Sequence, residues 1–387
     1  MNIIIDLGMH IIQSPKELFL LEDGITYLNC SYMSPMLKTV KQAGLVALDK
    51  RAQPWNLTVE DWFTKAETLR QLVANIFQTA NDNIALIPSA SYGLSLAAKN
   101  IKLTAGKNIL VLEHQYPSNY YAWENLAKEQ SLQIVTIRSS ADKSLTQSIL
   151  ENINEHTGLV AIPNCHWISG AWIDLEKISK AVKEVDALLV LDLSQSLGVL
   201  PIDIEQIQPD FAVSVGYKWM LGPYSLGYMY VAEKWQESSE PLEYSWQPRK
   251  GSENFADLTN YVTEYKKGAR KFDMGEVSHI NLMPMALAAL EQINKWDIAD
   301  VQQEIKKLTD IIVDYKISNG TYNENQLNAG HIISIPLKDK NINELKQRLT
   351  DNNVIVSFRS TSIRVSPHIY NSEQDIKKLL SCLDEDS

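Results

Sequence analysis

The chain has 387 residues, of which 45% are hydrophobic and 21% are charged, so it can bury a large core and is not a disordered tail. This length predicts at least two domains. Its 36 basic and 47 acidic residues give a net charge of −11. That balance argues against nucleic acid and against a membrane as partners, because both require clustered lysine and arginine.

Three cysteines, Cys30, Cys165 and Cys382, are scattered along the chain without a Cys-x-x-Cys pair. This spacing argues against a disulfide framework and against a zinc site, so we expect no metal. The first residues, MNIIIDLGMHII, lack a basic segment and a cleavage-site pattern. No apolar run reaches the ~20 residues that cross a bilayer. We therefore expect a cytoplasmic protein.

Seven short apolar runs between about residues 84 and 231 predict strands. They are NIALIP, NILVLE, LQIVTI, LVAIPN, ALLVLD, FAVSVG and LGYMYV. Amphipathic segments such as NYYAWENLAKEQ and LEKISKAVKEV lie between them and predict helices. Apolar strands that alternate with helices are typical of a largely parallel sheet covered on both faces. Ligands of such sheets bind at the carboxyl ends of the strands.

A different pattern begins near Asn281. The segment NLMPMALAALEQINKW predicts a long apolar helix. Further along, HIISIPL, NNVIVSF and SIRVSP predict strands, and INELKQRL and SEQDIKKLL predict helices. We therefore predict an α/β fold in which residues 25–280 form a large domain. Residues 1–24 and 281–387 form a smaller α+β domain.

Two chemically active side chains follow neighbouring predicted strands. Asp192 ends the run ALLVLD, with Gln195 just beyond it, and Lys218 follows FAVSVG. Asp192 could simply cap the next helix, and Lys218 could extend its amine to solvent at the rim of the sheet. Together they suit an aromatic aldehyde cofactor. The amine forms an imine with the aldehyde, the carboxylate keeps a pyridine nitrogen protonated, and Gln195 can bond a ring hydroxyl.

The segment LVLDLSQSLGVLPIDIEQIQPDFAVSVGYKWMLGP contains Asp-x-x-Gln and a Tyr-Lys pair before a Leu-Gly-Pro turn. It resembles the class V aminotransferase superfamily of fold-type I pyridoxal 5'-phosphate (PLP) enzymes. That group includes cysteine desulfurases, kynureninases and isopenicillin N epimerase-like proteins. The resemblance extends from YLNCSYMSPM to RVSPHIYN. It implies PLP as the cofactor, a mostly parallel seven-stranded sheet in the large domain, and Lys218 and Asp192 as the catalytic residues.

The resemblance also implies further cofactor contacts. The turn in PSASYGLSLAAKN holds the phosphate in the family, which corresponds to Ala90 and Ser91. A helix N-terminus favours an anion there, although an ordinary N-cap has the same sequence. Tyr217 matches a tyrosine that contacts the phosphate in kynureninase-like enzymes. Tyr116 matches an aromatic ring that stacks on the pyridine, while a core tyrosine is its ordinary explanation.

The segment GARKFDMGEVSHIN resembles a family loop that crosses a dimer interface to reach the neighbour's phosphate. The resemblance therefore implies a homodimer. Desulfurases typically have Gly-Thr where this chain has Gly275 and Glu276. A glutamate is a poor phosphate ligand, so we expect any contact from the backbone or from Ser278.

The substrate end is indicated by two arginines in SFRSTSIRVSPHIYN. A guanidinium binds a carboxylate bidentately, and an enzyme that acts on amino acids needs such a group. By its position in RVSPHIYN, Arg364 resembles the family arginine that binds the substrate α-carboxylate. Arg359 is a second candidate. A surface salt bridge is the ordinary explanation for either residue.

Four further residues are candidate substrate contacts. His166 and Trp167 lie on the loop expected over the cofactor, and the pair resembles the epimerase-like branch. A histidine in such a loop is more often structural than an acid or base. Asn29 and Tyr32 belong to a segment that lines the active site in relatives.

The position of the cysteines bears on the reaction. Desulfurases take the sulfur on a mobile-loop cysteine upstream of the carboxylate arginine, and no cysteine lies between His166 and Ser381. This argues against the usual desulfurase reaction.

We expect an enzyme that acts on an amino acid through an external aldimine and an α-carbanion, as an epimerase or as a C–S or β-lyase. Transamination and kynureninase-type hydrolysis stay alternatives. A non-catalytic dimeric scaffold is the alternative from another class. A nucleotide-binding fold is disfavoured, because no G-x-G-x-x-G pattern follows the early strands.

Overall fold

A computed structural model describes residues 15–337 and 341–384 of the chain. Their strands are β1 (Thr26–Tyr27), β2 (Ile84–Ile87), β3 (Asn108–Leu112), β4 (Gln133–Ile137), β5 (Thr157–Ile162), β6 (Leu188–Asp192), β7 (Phe211–Val215), β8 (Gly227–Val231), β9 (Ile333–Pro336), β10 (Val354–Ile355), β11 (Ser357–Arg359) and β12 (Ser362–Val365).

The α-helices lie mainly between the strands, as the amphipathic segments predict. They are α1 (Lys38–Ala52), α2 (Val59–Phe77), α3 (Ala90–Asn100), α4 (Ser118–Gln130), α5 (Leu145–Leu150), α6 (Leu175–Glu184), α7 (Ile204–Ile207), α8 (Glu233–Gln236), α9 (Met283–Ile293), α10 (Ile298–Ser318), α11 (Ile342–Asp351) and α12 (Glu373–Asp384).

The seven predicted strands of the large domain form one sheet in the order β2–β8–β7–β6–β5–β3–β4. The neighbours from β7 to β4 are paired in parallel. Strand β8 runs antiparallel to both of its neighbours, β7 and β2. The predicted α/β fold with a mostly parallel seven-stranded sheet is therefore confirmed.

Both faces of this sheet are buried except along the edge strand β4, where Gln133 and Thr136 are exposed. Side chains along a strand alternate between the two faces. In β5, Val160 and Ile162 join a hydrophobic cluster that includes residues of α2, α6 and α9. Leu159 and Ala161 join a second cluster, which includes residues of α3 and α4. Burial on both faces explains why the strands are apolar at successive positions and not at every second one.

Helix α3 packs closely on the sheet because residue 93 is a glycine. A Cβ atom at Gly93 would lie 2.6 Å from Cγ1 of Val213 in β7 and 2.9 Å from Cδ1 of Ile87 in β2. Interiors are packed densely, so a side chain here would push the helix away from the strands. The glycine thereby keeps the first turn of α3 against the sheet.

The C-terminal part is an α+β unit, as predicted. Strands β11, β12 and β9 form an antiparallel sheet, and a third hydrophobic cluster packs it against α10, α11 and α12. The single strand predicted from NNVIVSF is instead two short strands, β10 and β11. Strand β10 pairs in parallel with β1, which joins the start of the described chain to this unit. The proposed domain boundaries stay a prediction, and residues 1–14 lie outside the described residues.

A buried ion pair joins α2 to the sheet. Arg70 is 1% exposed, and its Nη1 and Nη2 donate to the two carboxylate oxygens of Asp273 over 3.0 and 2.7 Å. Asp273 also accepts a hydrogen bond from the Leu86 amide in β2. Each charged group is thus compensated within the protein, as burial of a charge requires.

Candidate active site

The loops after β2, β3, β5, β6 and β7 surround one cavity at the carboxyl edge of the sheet, the place expected for a ligand in a parallel sheet. Its volume of about 370 Å³ lies within the ~300–1,000 Å³ typical of small-molecule sites. All residues predicted to contact the cofactor line its wall: Ala90, Ser91, Tyr116, Asp192, Gln195, Tyr217 and Lys218.

Lys218 lies in the loop that follows β7 and is 8% exposed. Its Nζ makes no hydrogen bond or ion pair with the residues that the structure describes. The amine lies 5.5 Å from the ring centroid of Tyr116 and 5.8 Å from that of Tyr217. Burial lowers the pKa of the Lys218 amine to about 8, although the negative charge of Asp192 opposes this shift. The amine is therefore partly neutral near physiological pH.

Asp192 ends β6 and is 7% exposed. Its Oδ1 accepts a hydrogen bond of 3.0 Å from the Ser194 amide. No ion pair to Asp192 occurs among residues 15–337 and 341–384. A buried carboxylate that lacks a cationic partner is costly, so the site is suited to a ligand that brings a positive N–H group. The buried hydroxyl of Ser194 also has no hydrogen-bond partner there.

Two residues that the sequence did not indicate hold Gln195. Trp219 donates from Nε1 to Gln195 Oε1 over 3.0 Å, and Gln195 Nε2 donates to the Ser31 carbonyl over 3.1 Å. Because an amide nitrogen has two hydrogens, one remains for a ligand. The main-chain carbonyl oxygen of Gln195 lies 2.5 Å from Nε2 of His331. Burial lowers the pKa of His331 to about 4, so the ring is neutral at physiological pH, and its Nδ1 lies 3.2 Å from the Ala329 carbonyl.

Part of the cavity wall is formed by the N-termini of two helices, α3 and α4. Ser89 caps α3 by accepting from the Tyr92 amide over 3.1 Å. Ser91 Oγ, in the first turn of α3, donates to Ser118 Oγ at the start of α4 over 2.9 Å. Amides at the start of a helix and the helix dipole favour an anion. Ser118 was not predicted, although its place at a helix start after β3 was a usable signal.

Trp167 connects the cofactor wall to the predicted substrate residues. Its ring meets Tyr116 edge-on, with centroids 5.6 Å apart, and its Nε1 donates to the His114 carbonyl over 2.7 Å. Its own carbonyl accepts 2.7 Å from Nη1 of Arg364. The Arg359 guanidinium carbon lies 5.5 Å from the Trp167 ring centroid.

Arg364 and Arg359 both contact Trp167 and do not themselves line the cavity. Arg364 is 1% exposed, and its Nε is buried without a hydrogen-bond partner among the described residues. Burial and the charge of Arg359 lower the pKa of Arg364 to about 9. The Nε of Arg359 is also buried without a partner. The charges of both guanidinium groups contribute to the lowered pKa of Lys218.

The structure does not bring His166, Asn29 or Tyr32 onto the cavity wall. The Nδ1 of His166 lies 3.0 Å from Ser169 Oγ in the same loop, and burial lowers the pKa of His166 to about 4. Asn29 accepts 2.7 Å from Ser357 Oγ through its Oδ1. Tyr32 is largely exposed. Their proposed roles in binding the substrate stay predictions.

The loop expected to reach a partner's phosphate makes contacts within its own chain. Ser278 Oγ donates to the Trp62 carbonyl over 2.7 Å and accepts from Gln247. The Gly275 amide donates to Glu243. Glu276 is exposed. None of the three loop residues lines the cavity of the single chain.

The described residues contain neither a membrane-spanning helix nor a cluster of metal ligands. Within 15–337 and 341–384, the helices are too short or too polar to cross a membrane. In the same ranges, His, Cys, Asp and Glu side chains do not gather into a group of three that could hold a metal ion.

Solved structures resemble the whole chain. The apo cysteine desulfurase of Thermococcus onnurineus superposes with a TM-score of 0.82 at 18% identity, over 98% of this chain and 98% of that one. The cystine C–S lyase C-DES, in complex with its product cysteine persulfide, superposes with a TM-score of 0.81 at 16% identity. That match covers 94% of this chain and 98% of C-DES. At these identities the likeness shows the fold.

Several proteins of known sequence are similar to this chain. The uncharacterized aminotransferase YcbU of Bacillus subtilis is 23% identical over 358 residues, which are 89% of this chain and 93% of YcbU. The kynureninase of Shouchella clausii is 22% identical over 386 residues, 95% of this chain and 89% of that protein. The isopenicillin N epimerase of Amycolatopsis lactamdurans is 22% identical over 253 residues, 63% of each chain.

The family described as aminotransferase class-V matches residues 57–379, most of the chain. This match agrees with the fold and with a cavity in which a buried lysine and a buried carboxylate share one wall. The resemblance inferred from the Asp-x-x-Gln and Tyr-Lys segment is therefore confirmed, and so is the cofactor it implied. The chain belongs to the aminotransferase class-V family and is a PLP-dependent enzyme.

Proposed function

We propose that the chain acts on an amino acid by removing its α-proton, with Lys218 as the base. The observation that carries the proposal is the cavity shared by Lys218 and Asp192. Both side chains are buried there, and neither forms an ion pair with the described residues. Two uncompensated groups of this kind are typical of a site whose charges are completed by a ligand.

The residues present fit PLP. We propose that the N-termini of α3 and α4 hold the phosphate through the Ala90 and Ser91 amides, with Ser118 beside them. Asp192 would pair with the protonated pyridine nitrogen, and the second Nε2 hydrogen of Gln195 would reach the ring hydroxyl. When bound, the cofactor supplies an electron sink that stabilises negative charge at the substrate α-carbon.

The chain's own groups then position and deprotonate the substrate. Arg364 would bind the α-carboxylate, in competition with the Trp167 carbonyl that its Nη1 now contacts. With a pKa of about 8, the Lys218 amine has a substantial neutral fraction, and its Nζ can accept the α-proton. Tyr116 and Trp167 would exclude water from the face of the site beside Lys218.

We propose an epimerase-type or C–S/β-lyase-type outcome. Cys165, the cysteine on the cavity wall, is 1% exposed, and burial raises the pKa of its thiol above the ordinary value. A thiol takes up sulfur as its thiolate, and the raised pKa disfavours the thiolate of Cys165. Together with the absence of cysteine from 166–381, this argues against a desulfurase that relays persulfide. Transamination is a second candidate, favoured by the likeness to YcbU over 89% of the chain.

We also propose a homodimer. Apolar side chains are exposed on the segment 244–262, among them Trp246, Phe255 and Tyr261. This segment contacts the loop that resembles the family's interface loop, since Ser245 Oγ donates to the Gly275 carbonyl over 3.2 Å. An exposed apolar patch next to such a loop is suited to a second copy of the chain.

The cofactor assignment is tested by reduction with borohydride, followed by peptide mass spectrometry. Purified protein given PLP should be yellow, and reduction should leave the label on Lys218. The Lys218→Ala variant should carry no label there. Wild-type protein that takes up no PLP, or that is labelled at another lysine, contradicts the assignment.

The reaction is tested with the holoenzyme and a panel of amino acids. Exchange of the α-hydrogen for deuterium is expected from an epimerase or a lyase. Keto acid released without the need for an acceptor keto acid indicates a lyase, whereas strict dependence on such an acceptor indicates transamination. Bound PLP without exchange or product across the panel would support the non-catalytic scaffold.

A further inference from the structure

We propose that the substrate carries a second anionic group on its side chain, which Arg359 binds while Arg364 binds the α-carboxylate. The substrate class is then an acidic amino acid of the size of aspartate or glutamate. This inference rests on the proposed function, because it assigns Arg364 to the α-carboxylate.

The hairpin of β11 and β12 puts the two arginines on one face. In its antiparallel register, Ser357 is paired with Arg364, and Arg359 is paired with Ser362. Side chains two positions apart on a strand share a face, and so do directly paired residues. Arg359 and Arg364 are therefore diagonal neighbours on the same face.

Neither arginine has an acidic partner in the described ranges. Two other arginines with low exposure, Arg70 and Arg270, are paired with carboxylates. Arg70 contacts Asp273 at 2.7 Å, and Arg270 contacts both Glu67 and Asp82 at 2.6 Å. Two adjacent positive charges that lack any carboxylate repel each other, which is consistent with the lowered pKa of Arg364.

Trp167 accounts for only part of this charge. The guanidinium carbon of Arg359 lies 5.5 Å from the Trp167 ring centroid, close to the ~6 Å limit for a cation–π contact. Such a contact does not use the N–H groups that lie in the plane of the Arg359 guanidinium. Its Nη1 donates to the Phe358 carbonyl over 2.8 Å, while Nε is buried without a partner. The N–H groups of Nε and Nη2 lie on the same side of the guanidinium, so a carboxylate could accept from both of them bidentately.

A count of charges leads to the same conclusion. Asp192 is assigned to the pyridine nitrogen of the cofactor, and the N-termini of α3 and α4 are assigned to its phosphate. The α-carboxylate compensates one of the two arginines. One positive charge then remains beside the substrate, and a second anionic group on the substrate compensates it.

The experiment compares isosteric substrates on the holoenzyme. Aspartate and glutamate should exceed asparagine and glutamine in kcat/KM, and the Arg359→Gln variant should lose about 10- to 100-fold toward the acidic pair, as expected for a lost charge-assisted hydrogen bond. Loss of the Arg359 charge also acts on the pKa of Lys218, so a loss toward the neutral pair is expected too, but it should be clearly smaller than the loss toward the acidic pair. Arg51→Gln, which alters an exposed arginine at the end of α1, is the matched control and should leave both pairs unchanged.

A binding measurement without turnover supports the kinetic one. Succinate should raise the melting temperature of the wild-type holoenzyme more than its mono-amide succinamate does, and Arg359→Gln should abolish that difference. A preference for neutral amino acids, or an equal loss toward acidic and neutral substrates in Arg359→Gln, overturns the inference. Those results leave PLP on Lys218 in place, whereas a protein that binds no PLP fails the proposed function itself.

Discussion

The surroundings of Lys218 lower the pKa of its amine below that of an ordinary lysine. A lysine amine in water is almost fully charged at neutral pH. In this site burial lowers the pKa to about 8, with help from Arg364 and against Asp192. The carboxylate is near enough to act on the amine, although no ion pair forms. The result is an amine that can be a nucleophile toward the cofactor and a base toward the substrate.

The rate of PLP uptake by the apo protein should therefore depend on pH. A protonated amine cannot attack an aldehyde, so the rate should rise by about tenfold per pH unit below 8. Above pH 8 it should level off, because the amine is then mostly neutral. Absorbance after rapid mixing with PLP, measured from pH 6 to pH 10, checks this. A rate that keeps rising up to pH 10 would mean that Lys218 has an ordinary lysine pKa.

At the scale of single residues, the sequence was informative where an unusual residue type follows an apolar strand. Asp192, Gln195 and Lys218 were identified for that reason, and all three line the cavity. His331 was not identified. It contacts the Gln195 carbonyl from 136 positions away, and no pattern near His331 indicates this contact.

At the scale of elements, the close packing of α3 on the sheet places its N-terminus at the site. Gly93→Ala should lower the free energy of unfolding by about 1–3 kcal/mol, as overpacking typically does. The added Cβ would lie 2.6 Å from Val213 Cγ1 and 2.9 Å from Ile87 Cδ1, and both of these side chains are fully buried. PLP affinity should fall as well, because the amides proposed to bind the phosphate would move. Chemical denaturation and PLP titration measure the two effects.

Gly44→Ala in α1 is the matched control for this change. Its Cβ would approach the sulfur of Met285 at 3.0 Å, and a methionine side chain is flexible enough to give way. Alanine also favours a helix by about 1 kcal/mol over glycine. Stability should thus be unchanged or slightly raised. Equal losses for the two variants would show that the contact with the sheet does not explain the effect of Gly93→Ala.

At the scale of the whole molecule, the proposed homodimer predicts a measurable mass. Light scattering should give twice the chain mass of 43.8 kDa. Tyr261 is 92% exposed on the segment next to Gly275, so Tyr261→Asp should weaken the dimer by placing a charge in an apolar contact. Ile317→Asp, on an exposed apolar position of α10, should leave the mass unchanged. A monomeric wild type, or a Tyr261→Asp protein that stays dimeric at low concentration, would contradict the proposed interface.

The sequence by itself determined the central sheet and the identity of the cofactor. Parallel strands buried on both faces must be apolar throughout, so the seven runs were recognisable without any tertiary information. Polar residues at the ends of such strands, Asp192 and Lys218 above all, indicated the chemistry. Their positions relative to the strands follow from chain order alone.

Only the tertiary structure decided how distant segments meet. It pairs β1 with β10, and it puts Arg364 on the carbonyl of Trp167, 197 positions earlier in the chain. It also shows that Arg359 and Arg364 share one face without an acidic partner in the described residues. Spacing along the chain cannot encode such contacts, because they depend on how the C-terminal unit packs on the large sheet.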